Sequence, residues 1–210
     1  DSFTTPPADP LFLWMVEDSS LSAGEQQSRL LLNTRFMLEW VNFPLLYRGI
    51  ILDVRDEDEI VGVATLLPPG ITQIPPWTFG YQIVTIGLPP SMKHKAKWGP
   101  IPEKKLEAWD TVEAAKKEVL KEIGPSWYLQ AIGVLKSHHG KGLGGALLRA
   151  VCALADKTQT PVYLDTESDW HEQLYNKFGF KTFRKFDLTV EGADAVRAQT
   201  EYIMVRKPQQ

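Results

Sequence analysis

The 210-residue chain has a single cysteine, Cys152, which excludes an internal disulfide and any zinc site built on cysteines. Cys152 falls in an apolar helical pattern, where free cysteine packs as a small apolar residue. The chain also lacks a membrane-length apolar run and a secretory signal pattern, so no membrane partner is expected and the cytoplasm is the default location. Basic excess is missing too: 23 Lys and Arg stand against 26 Asp and Glu, a net charge of −3. Broad nucleic-acid binding needs a basic face, so no nucleic-acid partner is expected. There is no internal repeat and no low-complexity tract. The acidic run Arg55 to Glu59 reads as a solvated hairpin tip, so no metal is expected. One local shortage stands out. Between Glu122 and Asp156 no Asp or Glu occurs, while Lys136, Lys141, Arg149 and two histidines do.

The composition, 43% hydrophobic and 23% charged, is that of an ordinary globular protein, and the length suits one domain over residues 1–210. Apolar periodicity predicts a long helix from Gly24 to Tyr47 that Pro44 ends or kinks. The run Leu11 to Val16 is either a helical turn or a strand. Gly49 to Val54 and Ile60 to Leu67 read as a hairpin. Residues 68–101 are an insertion rich in proline, with Trp77, Phe79, Tyr81 and Trp98 as a candidate acceptor wall and room for a short helix near Tyr81 to Ile86. Pro102 to Ile123 is a second long helix with Leu106, Trp109, Val112, Val119 and Ile123 as its buried stripe. Then follow a strand from Trp127 to Leu135, a helix from Leu143 to Ala155 and a strand from Pro161 to Asp165. A helix from Asp169 to Phe178 closes at Gly179, and strands run from Phe180 to Val190 and from Glu201 to Arg206. The connector Gly192 to Gln199 reads as a loop.

The stretch His138-His139-Gly140-Lys141-Gly142-Leu143-Gly144-Gly145 joins a predicted strand to a predicted helix. Glycines let backbone approach a phosphate closely, and the free N–H groups and dipole of a helix start favour an anion. Two readings fit. Gly140-x-Gly142-x-x-Gly145 matches a dinucleotide fingerprint, with Asp165 at the end of the next strand as a ribose partner. Against it, Lys136 to His139 intervene between strand and glycine, and few residues remain to complete a doubly wound sheet.

The other reading is a resemblance to the GNAT superfamily of N-acetyltransferases. Its turn signature, Gln/Arg-x-x-Gly-x-Gly/Ala, is similar to His139-Gly140-Lys141-Gly142-Leu143-Gly144, with histidine in place of Gln or Arg. Downstream, Leu174-Tyr175-Asn176-Lys177-Phe178-Gly179-Phe180 resembles the family's Leu-Tyr-x-Lys-x-Gly-Phe element. The likeness is strong over residues 126–181 and weakens upstream, where the family's first strand is not evident and is expected before Asp1.

The resemblance implies a mixed α/β fold: a central, mostly antiparallel sheet flanked by helices and splayed where acetyl-CoA binds. It implies pantetheine along Val134, Leu135 and Lys136, and pyrophosphate on the turn from His139 through Gly140, Lys141, Gly142, Leu143 and Gly144 to Gly145. The family's pantetheine asparagine falls near Ser168. The N–H of Val134 or its neighbour holds the oxyanion, and Tyr175 protonates the departing thiolate. The acceptor is a small-molecule amine that attacks the thioester directly. Asp165 and Glu167, ending the strand beside the opening, are the candidate bases or cation binders. His171 reads as a surface helix histidine, with a place facing the acceptor opening as the alternative. A monomer or homodimer is expected. A non-catalytic acyl-CoA sensor is the alternative within the same fold.

Overall fold

The computed structural model describes residues 9–42, 48–71, 78–88, 103–188 and 199–209. Asp9 begins the first helix, α1 (Pro10–Val16): its carboxylate accepts from the Phe12 N–H at 3.0 Å, and Pro10 brings a φ already suited to a first turn. The ambiguous run Leu11 to Val16 is therefore helical. Helix α2 spans Ala23–Asn42; the predicted end at Tyr47, and Pro44, lie outside the described residues. Strands β1 (Ile50–Asp56) and β2 (Glu59–Leu67) form the expected hairpin. Within the proline-rich segment a helix, α3 (Thr78–Thr85), is present, and Tyr81 on it is exposed. Trp77, Trp98 and the side chain of Phe79 lie outside the described residues.

Helix α4 (Glu103–Ile123) leads into β3 (Trp127–Val134), a short 3-10 turn (Lys136–His138) and α5 (Leu143–Thr158). Then come β4 (Val162–Thr166), α6 (Asp169–Asn176), β5 (Lys181–Leu188) and β6 (Gln199–Arg206). Gln199, assigned to the connector by sequence, starts β6; the rest of that connector lies outside the described residues.

Among the described residues the sheet has six strands in the order β1-β2-β3-β4-β6-β5, and only β3 and β4 run parallel. A doubly wound dinucleotide sheet is mainly parallel, so that reading is set aside. Helix α5 covers one face, packing Leu147, Leu148 and Val151 against Ala64, Leu129 and Leu164. Helix α4 covers the other, with Ala115 and Val119 against Tyr163, Ile203 and Val205. Of the predicted α4 stripe, Val112 and Val119 are buried and Ile123 is half-buried; the side chains of Leu106 and Trp109 lie outside the described residues. Lys116 shares that stripe. Helix α1 packs beside α4, and Lys105 Nζ donates to the carbonyls of Trp14 and Glu17, which end α1.

A bidentate pair closes the C-terminal end of the sheet. Arg206 Nη1 and Nη2 donate to Asp156 at 2.7 and 2.8 Å, and Nε donates to the Phe178 carbonyl at 3.0 Å. The guanidinium is almost wholly buried. Arg206→Ala is expected to lower stability by about 2–4 kcal/mol, read as an unfolding free energy in urea, because it strips three charge-assisted bonds at once.

Candidate active site

Strands β3 and β4 pair only at Trp127 with Val162 and Tyr128 with Tyr163. Beyond that point β3 stays with β2 out to Val134, while β4 stays with β6 out to Thr166. Each strand is held on its outer edge and a gap opens between them. A bulge helps to open it: consecutive Leu66 and Thr65 face Leu129 and Ala131, so Gln130 is an extra residue in β3. Bulges bend a strand and sharpen its twist. Just after β3 the Leu135 N–H bonds to Val61 O at 2.7 Å. Neighbouring strand amides point to opposite edges, so the Val134 N–H faces the gap.

The glycine turn lies at the mouth of this gap. Gly140 and Gly142 both have φ +77°, a left-handed conformation that glycine adopts without strain. Gly142 precedes α5 and carries no side-chain cap. The first intrahelical bond runs from the Ala146 N–H to Gly142 O at 3.0 Å, so the amides of Leu143, Gly144 and Gly145 precede the helical ladder. A Cβ placed at Gly140 or Gly142 would meet nothing within 4 Å, so no side chain plugs the turn.

Two details of the turn depart from the sequence picture. The stretch without acids is acid-free only along the chain. Asp56, at the end of β1, reaches Lys141 Nζ at 3.1 Å and His138 Nε2 at 3.2 Å. Its bond from Lys141 holds the Asp56 carboxyl below the usual range. The hairpin tip is thus partly engaged with the turn. His139 Nε2 donates to Val134 O at 2.9 Å, so its ring folds back on the strand.

On the α4 side of the sheet, four carboxyls converge at the C-terminal end of β4. Asp165 accepts from the Tyr128 hydroxyl at 2.7 Å and pairs with Lys116 at 3.1 Å; Lys116 also donates to that hydroxyl at 2.9 Å. Burial works against the Lys116 charge, but Asp165, Tyr128 and Glu113 outweigh it, and its pKa is raised. Glu167 follows β4 by one residue. Burial, with Asp9, Glu201 and Asp165 nearby, holds its carboxyl well above the usual range. Burial lifts Glu201 to about 9 and Asp9 to about 6. Tyr175, on α6, is buried edge-to-face on Phe180 at 5.7 Å; burial, then the charges of Glu167, Asp165 and Asp9, raise its pKa. Its phenol therefore keeps its proton across the neutral range.

Residues 110–182 match the model of the acetyltransferase (GNAT) domain. Over that stretch the chain is similar to the GNAT acetyltransferase domain. Solved structures agree on the fold across nearly the whole chain. A Drosophila melanogaster polyamine N-acetyltransferase superposes with a TM-score of 0.55 at 16% identity, covering 97% of this chain and 89% of that one. A mosquito arylalkylamine N-acetyltransferase-like protein gives 0.54 at 15%, covering 97% and 89%. A Corynebacterium glutamicum protein described as a histone acetyltransferase and related acetyltransferase gives 0.51 at 21%, covering 100% and 86%.

Within this site the predicted residues separate. Val134, Leu135 and Lys136 line the end of the strand beside the gap, and Gly140 to Gly145 form the open turn. Ser168 is the N-cap of α6, its hydroxyl oxygen accepting from the His171 N–H at 3.1 Å; its first task is to start that helix. Asp165 is neutralised by Lys116. His171 is half-buried, against the surface placement favoured for it: Nδ1 is buried without a hydrogen-bond partner among the described residues, burial lowers its pKa, and its ring lies 6.4 Å from that of Tyr175. Lys116, Asp9 and Glu201 were not found by sequence. Lys116 breaks an apolar stripe at helical spacing, with Val112, Ala115 and Val119. Glu201 shares the α4-facing side of β6 with Ile203 and Val205.

Proposed function

We propose that this N-acetyltransferase moves the acetyl group of acetyl-CoA to the amine of a small molecule by direct attack within a ternary complex. The observation that carries the proposal is the gap between β3 and β4, opening from two paired residues and ending at an unplugged glycine turn. In this reading the amides from Gly140 to Gly145 hold the diphosphate, with Lys141 and His139 beside them. Pantetheine runs along Val134, Leu135 and Lys136, and the thioester meets the Val134 N–H, which stabilises the oxyanion. Of the two candidate bases, Glu167 is the better placed chemically. Lys116 and Tyr128 occupy Asp165, whereas Glu167 has a carboxyl whose raised pKa brings it closer to a working pH.

The proton inventory then closes. The amine nitrogen bonds to the acetyl carbon and gives a proton to Glu167. The carbon–sulfur bond breaks and Tyr175 protonates the thiolate. The amide and CoA thiol leave, and the proton passes from Glu167 to the phenolate. The names of the Drosophila and mosquito neighbours point to polyamines and arylalkylamines, which supports a small amine as acceptor.

Incubating the protein with acetyl-CoA and a panel of polyamines and arylalkylamines, and titrating released thiol, tests this. Acetyl-CoA consumption that depends on one of these amines is the expected result, and release independent of every amine would overturn it. Acetyl-CoA at 100 times its Kd is expected to stabilise the fold by about 2.7 kcal/mol, while NAD does not.

A further inference from the structure

Glu201 is the least explained residue of the molecule. It is fully buried, and neither carboxyl oxygen has a hydrogen-bond partner among the described residues. A carboxyl this enclosed is normally paired. Its neighbours deepen the puzzle. Thr166 faces Tyr202 across the β4–β6 ladder, so the next residues outward, Glu167 and Glu201, lie side by side. The alternation of the strands puts both on the side of Asp165, the side that α4 covers. Asp9 adds a fourth carboxyl from the start of α1, which packs against β6, and its charge acts on Glu201. Among the described residues, Lys116 is the cation that stands against these, and it is already committed to Asp165 and Tyr128.

The cluster is not arranged as a metal site, since no group of three or more such side chains fit to hold a metal ion occurs among the described residues. Nor is it remote from the gap: Glu167 directly follows β4, one of the two strands that border it.

We infer that Glu201, with Asp9, is a built recognition site for a second cationic group on the acceptor, so that the preferred substrates are diamines or their guanidino analogues rather than monoamines. The inference rests on the acetyl-transfer reading only for which end of the ligand reacts; the cation site itself stands on the carboxyl geometry. One end presents a neutral amine to the thioester. The other stays protonated and pairs with Glu201, whose oxygens then acquire the donors they lack. Binding such a cation favours ionisation of the carboxyls, so complex formation releases protons to the solvent.

The test is calorimetric titration of the full chain, in the presence of CoA, with 1,4-diaminobutane and with butylamine, equal in carbon count and differing in the second cation. Wild type is expected to bind the diamine at least 30-fold more tightly, and Glu201→Gln to reduce that preference to about 3-fold or less. Asp9→Asn, which keeps an N-cap for α1, is the second variant and reduces it by a smaller factor. Glu201→Gln also checks its own folding: it is expected to melt no lower than wild type at pH 8. The raised pKa of Glu201 means that its contribution to stability is present below the ordinary carboxylate range and is lost as pH climbs toward about 9. Equal affinities for the two ligands in wild type, or a preference that survives in both variants, overturns the inference. Thiol release is followed in parallel. A diamine preference without acetyl transfer would leave the cation site standing and remove the acetyl-transfer reading instead.

Discussion

Gly142→Asp is expected to weaken CoA binding by about three decades while leaving the fold intact. The conformational part of the cost is small. Gly142 has φ +77°, and aspartate is among the few residues that visit this region, at a cost of about 1–2 kcal/mol. A Cβ there meets open space, and the position precedes α5, where a carboxylate suits the helix dipole. The electrostatic part is large. A carboxylate about 4 Å from a phosphate charge costs about 4 kcal/mol at an effective dielectric constant of 20, nearly a thousandfold in Kd. Gly142→Asn has the same shape without the charge, so it is expected to lose far less. Titration calorimetry with CoA, alongside thermal melts of both variants, reads the difference. Unchanged CoA affinity in Gly142→Asp would remove the turn from cofactor binding altogether.

The glycine turn and the Leu174 to Phe180 string were legible in the sequence because both are local. A left-handed glycine, a helix start and a helix end each depend on a few consecutive residues, and the fold places Gly140, Gly142 and Gly179 at positive φ. The order of elements after residue 126 was legible for the same reason. What sequence reading missed is contact between distant segments. Asp56 is 85 residues from the lysine it pairs with, so a count of charges along the chain could not find it. Lys116 and Asp165 are brought together only when α4 lies across β4. Asp9 joins Glu201 only because α1 packs beside β6. Signals existed for two of them: a lysine on the apolar stripe of α4, and a glutamate on the inward side of β6, are breaks in period. Such breaks flag burial of charge without naming the partner. The splay itself was expected from resemblance alone. Its physical cause, a bulge at Gln130, leaves no mark that periodicity could detect in so short a strand.

Tyr175→Phe and Glu167→Gln are expected to lower kcat by 10²-fold or more, with different pH signatures that separate acid from base. The phenylalanine variant keeps the ring against Phe180 and so the packing of α6; it loses only the proton donor. Because burial and the nearby carboxylates raise the Tyr175 pKa, the phenol is protonated throughout the neutral range, and its removal depresses the rate by the same factor at pH 6 and pH 9. Glu167 behaves otherwise. As a base it works only when ionised, and burial has raised its pKa, so wild-type kcat/KM climbs with pH along a limb lying above the ordinary carboxylate range. Glu167→Gln erases that limb. What remains is the acceptor's own ionisation: an alkyl ammonium near ~10.4 must lose its proton unaided, a cost of roughly 4 kcal/mol at pH 7 that vanishes as the pH approaches that value. The deficit of the glutamine variant therefore shrinks steadily from pH 7 to pH 10. A deficit that stays constant over that range would show that Glu167 binds the acceptor without taking its proton, and the base would then have to be sought among the other groups near Tyr175, beginning with His171, whose buried Nδ1 has no hydrogen-bond partner among the described residues.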